Sequence, residues 1–262
     1  MGLFKGFQDS SINPIFNGFP NNKFQMNNQV YGLSGCTAWF SAKFGLDQNV
    51  DLGAVSKWVD RISGASFIQT TAANQPRLLV ADPNFNNNPS IDFYTNARTM
   101  SNSTGLSIDR DNVLAIVFRK QTNSSGPSGN RMSPILCDSS TVPTTNGVFA
   151  SFTNATDGTV DAVGRSNLQT GTAKIWDTTI GNTNPHIVIF SNLNMVADGV
   201  LLSPSGVSFA PFTATNISQG ANNANIIMQL AEIVTWKSPN LSTTKMIALS
   251  DTINNTNNYA IY

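Results

Sequence analysis

The chain has 262 residues, of which 40% are hydrophobic and only 11% are charged, and its formal net charge at pH 7 is zero. This hydrophobic content is sufficient for one large core, and the length fits an all-β sandwich or barrel built as a single main domain. The only adjacent basic pair is Arg119-Lys120, so the chain lacks the basic stripe that drives nucleic-acid binding. No apolar run approaches the ~18 residues of a membrane-spanning helix. We therefore expect neither a nucleic acid nor a membrane as a partner.

Residues 1–35 differ from the rest of the chain, and we call them the N-terminal arm. The arm is too aromatic for an ordinary disordered tail and too irregular for an independent core. Two interpretations stay open: the arm lies extended on its own domain, or it inserts phenylalanines into a neighbouring subunit. It lacks the apolar stretch of a secretory signal, and it does not fit the myristoylation pattern. Its phenylalanines follow neither strand nor helix spacing: Phe4, Phe7, Phe16, Phe19 and Phe24.

Residues 36–262 read as one β domain. Period-two alternation or short apolar runs are interrupted by turn-forming residues about every ten positions. A single helix is predicted at 241–253, with Ser242 as its N-cap. The predicted fold is all-β, a two-sheet antiparallel jelly-roll sandwich with one short C-terminal helix and an extended N-terminal arm. The clearest predicted strands cover 36–41, 77–81, 90–94, 112–120, 147–152, 172–177, 186–191 and 226–236.

Few residues carry metal-binding chemistry. Cys36 and Cys137 are the only cysteines and stand beside apolar residues, so we expect two buried free thiols, with a disulfide between them as the alternative. Together with the single histidine, His186, they cannot supply the ligand set of a structural zinc site. Asp157 and Asp198 occupy Asp-Gly turns, where a carboxylate beside backbone carbonyls could bind calcium. Such turns usually hold no ion, so we expect no cofactor.

Candidate catalytic residues are also few. Glu232 is the only glutamate, and no second carboxylate lies near it in sequence, whereas glycoside hydrolysis requires a pair. His186 begins an apolar strand, and no nucleophile elbow accompanies it. We therefore expect no enzyme activity, with Glu232 hydrogen-bonded to backbone or to a tryptophan. The tryptophans, which could stack on sugar rings, lie in or beside apolar strand-like runs and are expected to be buried: Trp39, Trp58, Trp176 and Trp236.

Several stretches, taken in order, carry a resemblance to a known family. WVDRISG at 58–64 precedes QTTAANQPRLLV at 69–80 and NNPSIDFYTNARTM at 87–100; HIVIFS at 186–191 and ADGV at 197–200 follow, and LAEIVTWKSPNLSTTKMIALSDTINNTNNY covers 230–259. Their order and spacing resemble the concanavalin A-like, laminin G-like lectin/glucanase domains of phage virion and bacterial surface proteins. The resemblance covers residues 36–262 and leaves the N-terminal arm uncovered.

The resemblance makes four residues fold signatures: Trp58, Asp60, Gly64 and Glu232. We expect Trp58 to fill the core and Asp60 to accept hydrogen bonds from backbone groups of the following turn. Gly64 is expected to adopt a conformation that other residues resist. On this interpretation the stretch KWVDRISG belongs to the scaffold rather than to a binding site.

The resemblance also implies a display function. Such sandwiches work outside cells, facing glycans or proteins, and a phage particle assembled in the host cytoplasm reaches that location without a secretion signal. We therefore expect a non-enzymatic structural protein of a phage virion, as capsid decoration or as a tail or fibre component. Its expected partners are other virion proteins or further copies of itself. A carbohydrate-binding module for host or environmental glycans is the alternative, and a glycan-degrading enzyme is a weaker one.

Overall fold

The computed structural model describes residues 29–95, 98–121, 131–138, 146–154, 158–160, 164–167, 172–175, 182–192, 194–202, 211–218, 227–238 and 241–262. Within these residues the chain is a sandwich of two antiparallel sheets with one α-helix, which confirms the all-β sandwich and the late helix predicted from the sequence. No helix in the described ranges is long and apolar enough to cross a bilayer. The phenylalanines of the N-terminal arm lie outside the described residues, so their role stays a prediction: Phe4, Phe7, Phe16, Phe19 and Phe24.

Each of the predicted strands has a counterpart in the structure, and further short strands complete the sheets. The strands, numbered in chain order, are β1 Cys36–Ser41, β2 Lys57–Val59, β3 Ser66–Ile68, β4 Arg77–Asp82, β5 Asn88–Phe93, β6 Met100–Ile108, β7 Asn112–Lys120, β8 Arg131–Cys137, β9 Asn146–Asn154, β10 Gly158–Val160, β11 Gly164–Asn167, β12 Thr172–Ile175, β13 Pro185–Phe190, β14 Met195–Ala197, β15 Val200–Leu202, β16 Phe212–Ile217 and β17 Met228–Lys237.

Two sheets face each other across the main core. Sheet I has eight strands in the order β15-β14-β13-β7-β17-β5-β4, with β1 also paired to β17. Sheet II has nine strands in the order β12-β11-β9-β8-β16-β6-β3-β2, with β10 also paired to β9. The main core between them contains Trp58, Phe67, Ile116 and Phe118. A second core lies on the outer face of sheet I, where helix α1 (Thr243–Asn257) covers β13, β14 and β15.

Strand β7 shows why the centre of sheet I reads as an unbroken apolar run. Ile116 and Phe118 belong to the core between the sheets. Ala115 and Val117 alternate with them and belong to the core under α1. Because this part of sheet I is covered on both faces, residues 113–118 of β7 are all apolar. Period-two alternation, which marks a half-exposed strand, is therefore absent from this part of the sequence.

Helix α1 has the predicted N-cap, Ser242, begins at Thr243 and ends later than predicted. The Ser242 side chain accepts a hydrogen bond from the Lys245 backbone N–H at 3.4 Å, which caps the first turn. The helix ends at Asn257, beyond the predicted 241–253, and Asn258 follows in the left-handed conformation with φ 54°. Asn254 and Asn257 are both buried, and their side-chain amides donate hydrogen bonds within the fold. These contacts stabilise the last turn of the helix, where the asparagine-rich sequence by itself favours a turn.

The segment between β1 and β2 covers one edge of each sheet. The Val59 N–H donates to the Gly45 carbonyl at 2.7 Å on the β2 edge. The Leu52 N–H donates to the Leu78 carbonyl at 2.7 Å, and the Leu78 N–H donates to Gly53 at 2.9 Å on the β4 edge. Gly45 has φ +78°, and a Cβ there would collide with the Val59 carbonyl oxygen. Glycine is therefore required at position 45, because only glycine lets this segment come close enough to bond the backbone groups at the edge of β2.

Candidate functional site

The stretch from Trp58 to Gly64 forms a tightly bonded turn between β2 and β3. Trp58 is fully buried, and its indole N–H donates to the Ser41 carbonyl at 3.0 Å. The Asp60 carboxylate accepts from the backbone N–H of Ile62 at 3.0 Å and of Ser63 at 2.7 Å. Gly64 has φ +77°, a conformation that glycine adopts without strain. These contacts give Trp58 and Asp60 structural roles and leave Asp60, 1% exposed, out of reach of a ligand.

A β-bulge in β17 directs the Glu232 side chain. Met228 and Leu230 point into the core between the sheets, and regular alternation would send residue 232 to the same side. The pairing with β7 shifts between Leu230 and Glu232, so that Ala231 is an extra residue. The bulge therefore turns Glu232 to the outer face of sheet I, under the helix. The carboxylate thus avoids the apolar core between the sheets.

Four side chains donate hydrogen bonds to the Glu232 carboxylate. Oε1 accepts from the Tyr31 hydroxyl at 2.7 Å and from the Trp39 indole N–H. Oε2 accepts from the Tyr259 hydroxyl at 3.3 Å and from the Asn257 amide at 3.5 Å. We call these residues, together with Glu232, the Glu232 cluster. The cluster joins the N-terminal arm, β1, β17, α1 and the segment after the helix.

The Glu232 cluster suits a carboxylate that stays inside the protein. Burial raises the pKa of Glu232, and the hydrogen bonds from Tyr31 and Trp39 and the nearby Lys43 charge act against this rise. Burial and the Glu232 charge raise the pKa of Tyr31 well above its usual value, so its hydroxyl remains a donor. Glu232 is 1% exposed, and its oxygens are fully engaged by structural neighbours. This geometry supports the structural role predicted for Glu232.

The free energy of unfolding is expected to decrease as pH rises through the folded-state pKa of Glu232. This pKa lies above the unfolded value of 4.5, so the folded protein retains a proton that the unfolded chain has lost. The stabilisation is fully present below the unfolded pKa and is lost as pH rises through the folded one. Denaturant titrations of wild type and Glu232→Gln between about pH 3.5 and pH 8 test this. Their difference in unfolding free energy should shrink with rising pH, and a constant difference would contradict the expectation.

Cys36 and Cys137 are buried free thiols, as predicted, and they lie in different sheets. Burial raises the pKa of Cys36 to about 12, and the Asp60 charge adds to the rise. Since the thiolate is the reactive form, we expect Cys36 in the folded protein to resist an aromatic disulfide reagent at about pH 8. The same reagent should titrate both thiols in denaturant. Rapid labelling of Cys36 in the folded state, located by mass spectrometry, would show that this expectation is wrong.

The Asp-Gly turn at Asp198 uses its carboxylate internally. Asp198 Oδ2 lies 2.7 Å from His186 Nδ1, and Oδ1 accepts from the Ile187 N–H at 2.9 Å. His186 is 4% exposed, so the pair fastens β13 to the turn between β14 and β15. Asp157 lies outside the described residues. Within the described ranges no group of three or more His, Cys, Asp or Glu side chains is placed to hold a metal ion.

The described tryptophans are all buried. Trp39 is 7% exposed, and Trp58 and Trp236 are fully buried, which confirms the prediction for these three. Trp176 lies outside the described residues. A sugar ring therefore cannot stack on the face of any described tryptophan.

A polar cluster that the sequence analysis missed lies on the outer face of sheet I, where β4 pairs with β5. The guanidinium carbons of Arg77 and Arg98 lie 4.2 and 4.6 Å from the centroid of the Tyr94 ring, within the range of cation–π attraction. Arg77 Nε donates to Asp92 Oδ2 at 2.7 Å. Arg98 donates to the Tyr94 hydroxyl at 2.6 Å and to the Ala73 carbonyl. We call Arg77, Asp92, Tyr94 and Arg98 the Tyr94 cluster.

The Tyr94 cluster continues across sheet I as a row of polar side chains. In the strand register Arg77 lies beside Asp92, Asp92 beside Gln229, and Gln229 beside Arg119. Arg119 Nη1 donates to Gln229 Oε1 at 3.2 Å. These residues sit at outward positions between inward apolar neighbours, and that alternation is the signal by which the sequence could have revealed the row. This end of the outer face is therefore polar, whereas the end under α1 is apolar.

Comparisons with known proteins identify no family. No protein-family profile and no curated protein matches the chain. Solved structures with a similar course of the chain include the Trypanosoma rangeli sialidase bound to 2,3-difluorosialic acid, with TM-score 0.47 and 11% identity over 82% of this chain and 33% of the sialidase. Domain 4 of AbnA, a GH43 extracellular arabinanase from Geobacillus stearothermophilus, in complex with arabinotriose, has TM-score 0.48 and 10% identity over 82% of this chain and 98% of that domain.

The receptor-binding domain of botulinum neurotoxin type G is also similar, with TM-score 0.37 and 8% identity over 83% of this chain and 51% of that chain. The present chain spans about a third of the length of the sialidase. At these identities and TM-scores the likenesses carry no argument about function. They do not assign the sandwich to the concanavalin A-like family.

Proposed function

We propose that this chain is a non-enzymatic structural protein of a phage particle, which displays a lectin-like jelly-roll sandwich of concanavalin A-like type. The observation that carries the proposal is the way the base of the N-terminal arm is fixed to the sandwich. The Val30 carbonyl accepts a hydrogen bond from the Trp236 indole N–H at 3.3 Å. The Tyr31 hydroxyl donates into the Glu232 cluster, and the Gly35 carbonyl accepts from the Lys237 N–H at 2.8 Å.

An arm that is fixed to the sandwich at its base can attach the sandwich to another protein. Val30 is 3% exposed and belongs to the core under α1, so residues 29–35 are part of the folded domain. The preceding 28 residues contain the five phenylalanines, which are suitable anchors for a hydrophobic pocket on another subunit. A contact made by the arm would therefore hold the whole sandwich at a defined place on the particle. Further copies of this chain and other virion proteins are the proposed partners.

Mass spectrometry of purified phage particles tests the virion assignment directly, because the chain should be present at a fixed copy number.

Deletion of residues 1–28 then tests the arm, since this deletion keeps Val30 and Tyr31 and hence the fold. The truncated chain should unfold at the denaturant concentration of the full chain and should be missing from particles. A full-length control with Asn21 and Asn22 replaced by serine should be incorporated normally. Unchanged incorporation of the truncated chain would refute the proposed attachment role.

Carbohydrate binding is the second candidate, and the Tyr94 cluster is the observation that favours it. The amides of Gln69 and Gln75 and the hydroxyl of Thr99 lie on the Arg98 side of this cluster, and such groups are suitable partners for sugar hydroxyls. A glycan array with the purified chain tests binding, and Tyr94 is the residue to substitute, because the described tryptophans are buried. Glycan degradation is the weaker alternative. Turnover of a polysaccharide that disappears in Glu232→Gln, with the fold retained, would establish it.

A further inference from the structure

We propose that the Tyr94 cluster binds the carboxylate of an acidic sugar, so that the domain recognises a uronate-bearing glycan in preference to a neutral one. The proposal rests on the second candidate function, glycan binding, and it assigns the chemical class of the ligand. It is carried by the arrangement of Arg77 and Arg98 around one tyrosine ring, by the hydrogen bonds that these arginines lack, and by the neutral groups beside them.

Arg98 carries a positive charge without a carboxylate partner among the described residues. Its hydrogen bonds go to the Ala73 carbonyl and the Tyr94 hydroxyl, which are neutral acceptors. Its Nε is buried and has no hydrogen-bond partner. A buried donor without an acceptor costs free energy, and the charge of the guanidinium adds to this cost. The cost of the unpaired charge decreases when an oxyanion approaches the guanidinium from solvent, whereas the buried Nε stays out of its reach.

Arg77 brings a second guanidinium to the same ring. Its Nε is bonded to Asp92, and within the described ranges its two Nη atoms make no hydrogen bond. The Arg77 side chain is 36% exposed, whereas the Asp92 side chain is 2% exposed, so the face of the pair toward solvent is cationic. With Arg98 added, the cluster holds an excess of one positive charge. In a chain with only 11% charged residues, this is a concentrated binding point for an anion.

The guanidinium group is well matched to a carboxylate, because its parallel N–H groups bond both oxygens at once. The Tyr94 ring restrains both arginines by stacking, so little conformational entropy remains to be lost when a ligand binds. Asp92 lies beside Arg77 and would repel a ligand with many negative charges. A single carboxylate on an otherwise neutral molecule therefore fits the cluster better than a polyphosphate.

Neutral polar side chains beside Arg98 fit the remainder of a sugar. Gln69 Nε2 donates to the Thr99 carbonyl and hydroxyl, both at 3.0 Å, and Gln75 Nε2 donates to the Gln69 carbonyl at 2.8 Å. The Thr99 N–H is bonded to Asn74, which fixes this loop against the neighbouring turn. Amides and hydroxyls held in this way have further donors and acceptors for sugar hydroxyls. The cluster thus combines one anion-binding point with a neutral hydrogen-bonding surface.

Isothermal titration with an aldotriouronic acid, which carries one uronate on neutral xylobiose, and with its methyl ester tests the proposal on the full chain. Wild type should bind the acid at least about tenfold more tightly than the ester, which is the effect of one charged hydrogen-bonded pair. Arg98→Gln should weaken binding of the acid about tenfold or more and leave binding of the ester unchanged. Lys245→Gln, which removes an equal charge from the exposed face of α1, should change neither. Arg98→Lys should lie between wild type and Arg98→Gln, because it keeps the charge and loses the fork.

The possible results distinguish failure of the carboxylate assignment from failure of glycan binding. Equal binding of the acid and the ester would overturn the carboxylate assignment while leaving glycan binding in place. Binding of a sulfated neutral trisaccharide as tight as that of the acid would also overturn it, because the cluster would then select oxyanions in general. Binding to neutral glycans on an array, with none to the uronate acid or its ester, would refute the acidic class alone. If no glycan binds the chain, both the second candidate function and this inference are refuted.

Discussion

Replacement of Glu232 by alanine is expected to lower the free energy of unfolding by about 3–5 kcal/mol. The substitution removes the acceptor of two tyrosine hydroxyls, an indole N–H and an amide, and all of these donors lie in the buried Glu232 cluster. Each buried donor without an acceptor is costly, and the lost side chain also leaves a cavity. Denaturant unfolding at neutral pH, followed by tryptophan fluorescence and circular dichroism, measures the change.

Asp109→Ala is the matched control for this substitution. Asp109 is exposed, so its removal should change the free energy of unfolding by less than about 0.5 kcal/mol. Tyr31→Phe removes one donor and should cost about 1 kcal/mol. A Glu232→Ala variant as stable as Asp109→Ala would show that the Glu232 cluster does not stabilise the fold.

Replacement of Trp58 by alanine is expected to cost about 3–5 kcal/mol, comparable to the loss of Glu232. Trp58 is fully buried between the sheets, its ring centroid lies 5.5 Å from that of Phe40, and its N–H bonds the Ser41 carbonyl. Alanine leaves a large cavity at the junction of β1 with the β2–β3 turn, and this cavity can collapse only partly. Thermal and denaturant unfolding measure the loss, and near-ultraviolet circular dichroism reports the loosened aromatic core.

Two further variants separate packing from the hydrogen bond. Trp58→Phe keeps most of the apolar volume and should cost less than Trp58→Ala, with the remaining loss due to the smaller ring and the unpaired Ser41 carbonyl. Ile68→Ala, on the adjacent β3, removes a side chain that is 41% exposed and should cost under about 1 kcal/mol. If Trp58→Ala were no worse than Ile68→Ala, Trp58 would not be a core residue in solution.

Hydrophobic patterning predicts the centre of this fold well and its margins poorly. The predicted strand 112–120 coincides with β7, because its middle, residues 113–118, is buried on both faces and is an unbroken apolar run. The sequence does not predict strand β6, because Leu106 is the only apolar residue other than glycine between Met100 and Ile108 at its ends. Such strands are held by pairing with neighbours rather than by their own residues, and pairing is invisible in a local stretch of sequence.

The two clusters could be predicted only in part, for a related reason. The sequence predicts a structural role for Glu232 because it is the only glutamate, has no second carboxylate nearby and falls at a fold-signature position of the resemblance. Its direction depends on the bulge at Ala231, which no turn residue marks. The Tyr94 cluster joins Arg77, Asp92 and Arg98 from β4, β5 and the following loop, and their convergence follows from the strand register. Sequence spacing alone does not show that these arginines share one tyrosine ring.

The position of Tyr31 in the Glu232 cluster also determines when the base of the arm can be fixed during synthesis. Tyr31 precedes Glu232 by 201 residues and Asn257 by 226 residues. Because the chain is made from its N-terminus, Tyr31 leaves the ribosome long before the groups that bind it, and closing so long a loop is slow. The base of the arm is thus among the last parts of the sandwich to be secured. The base of the arm is therefore fixed only in a chain whose last strand and helix have already folded.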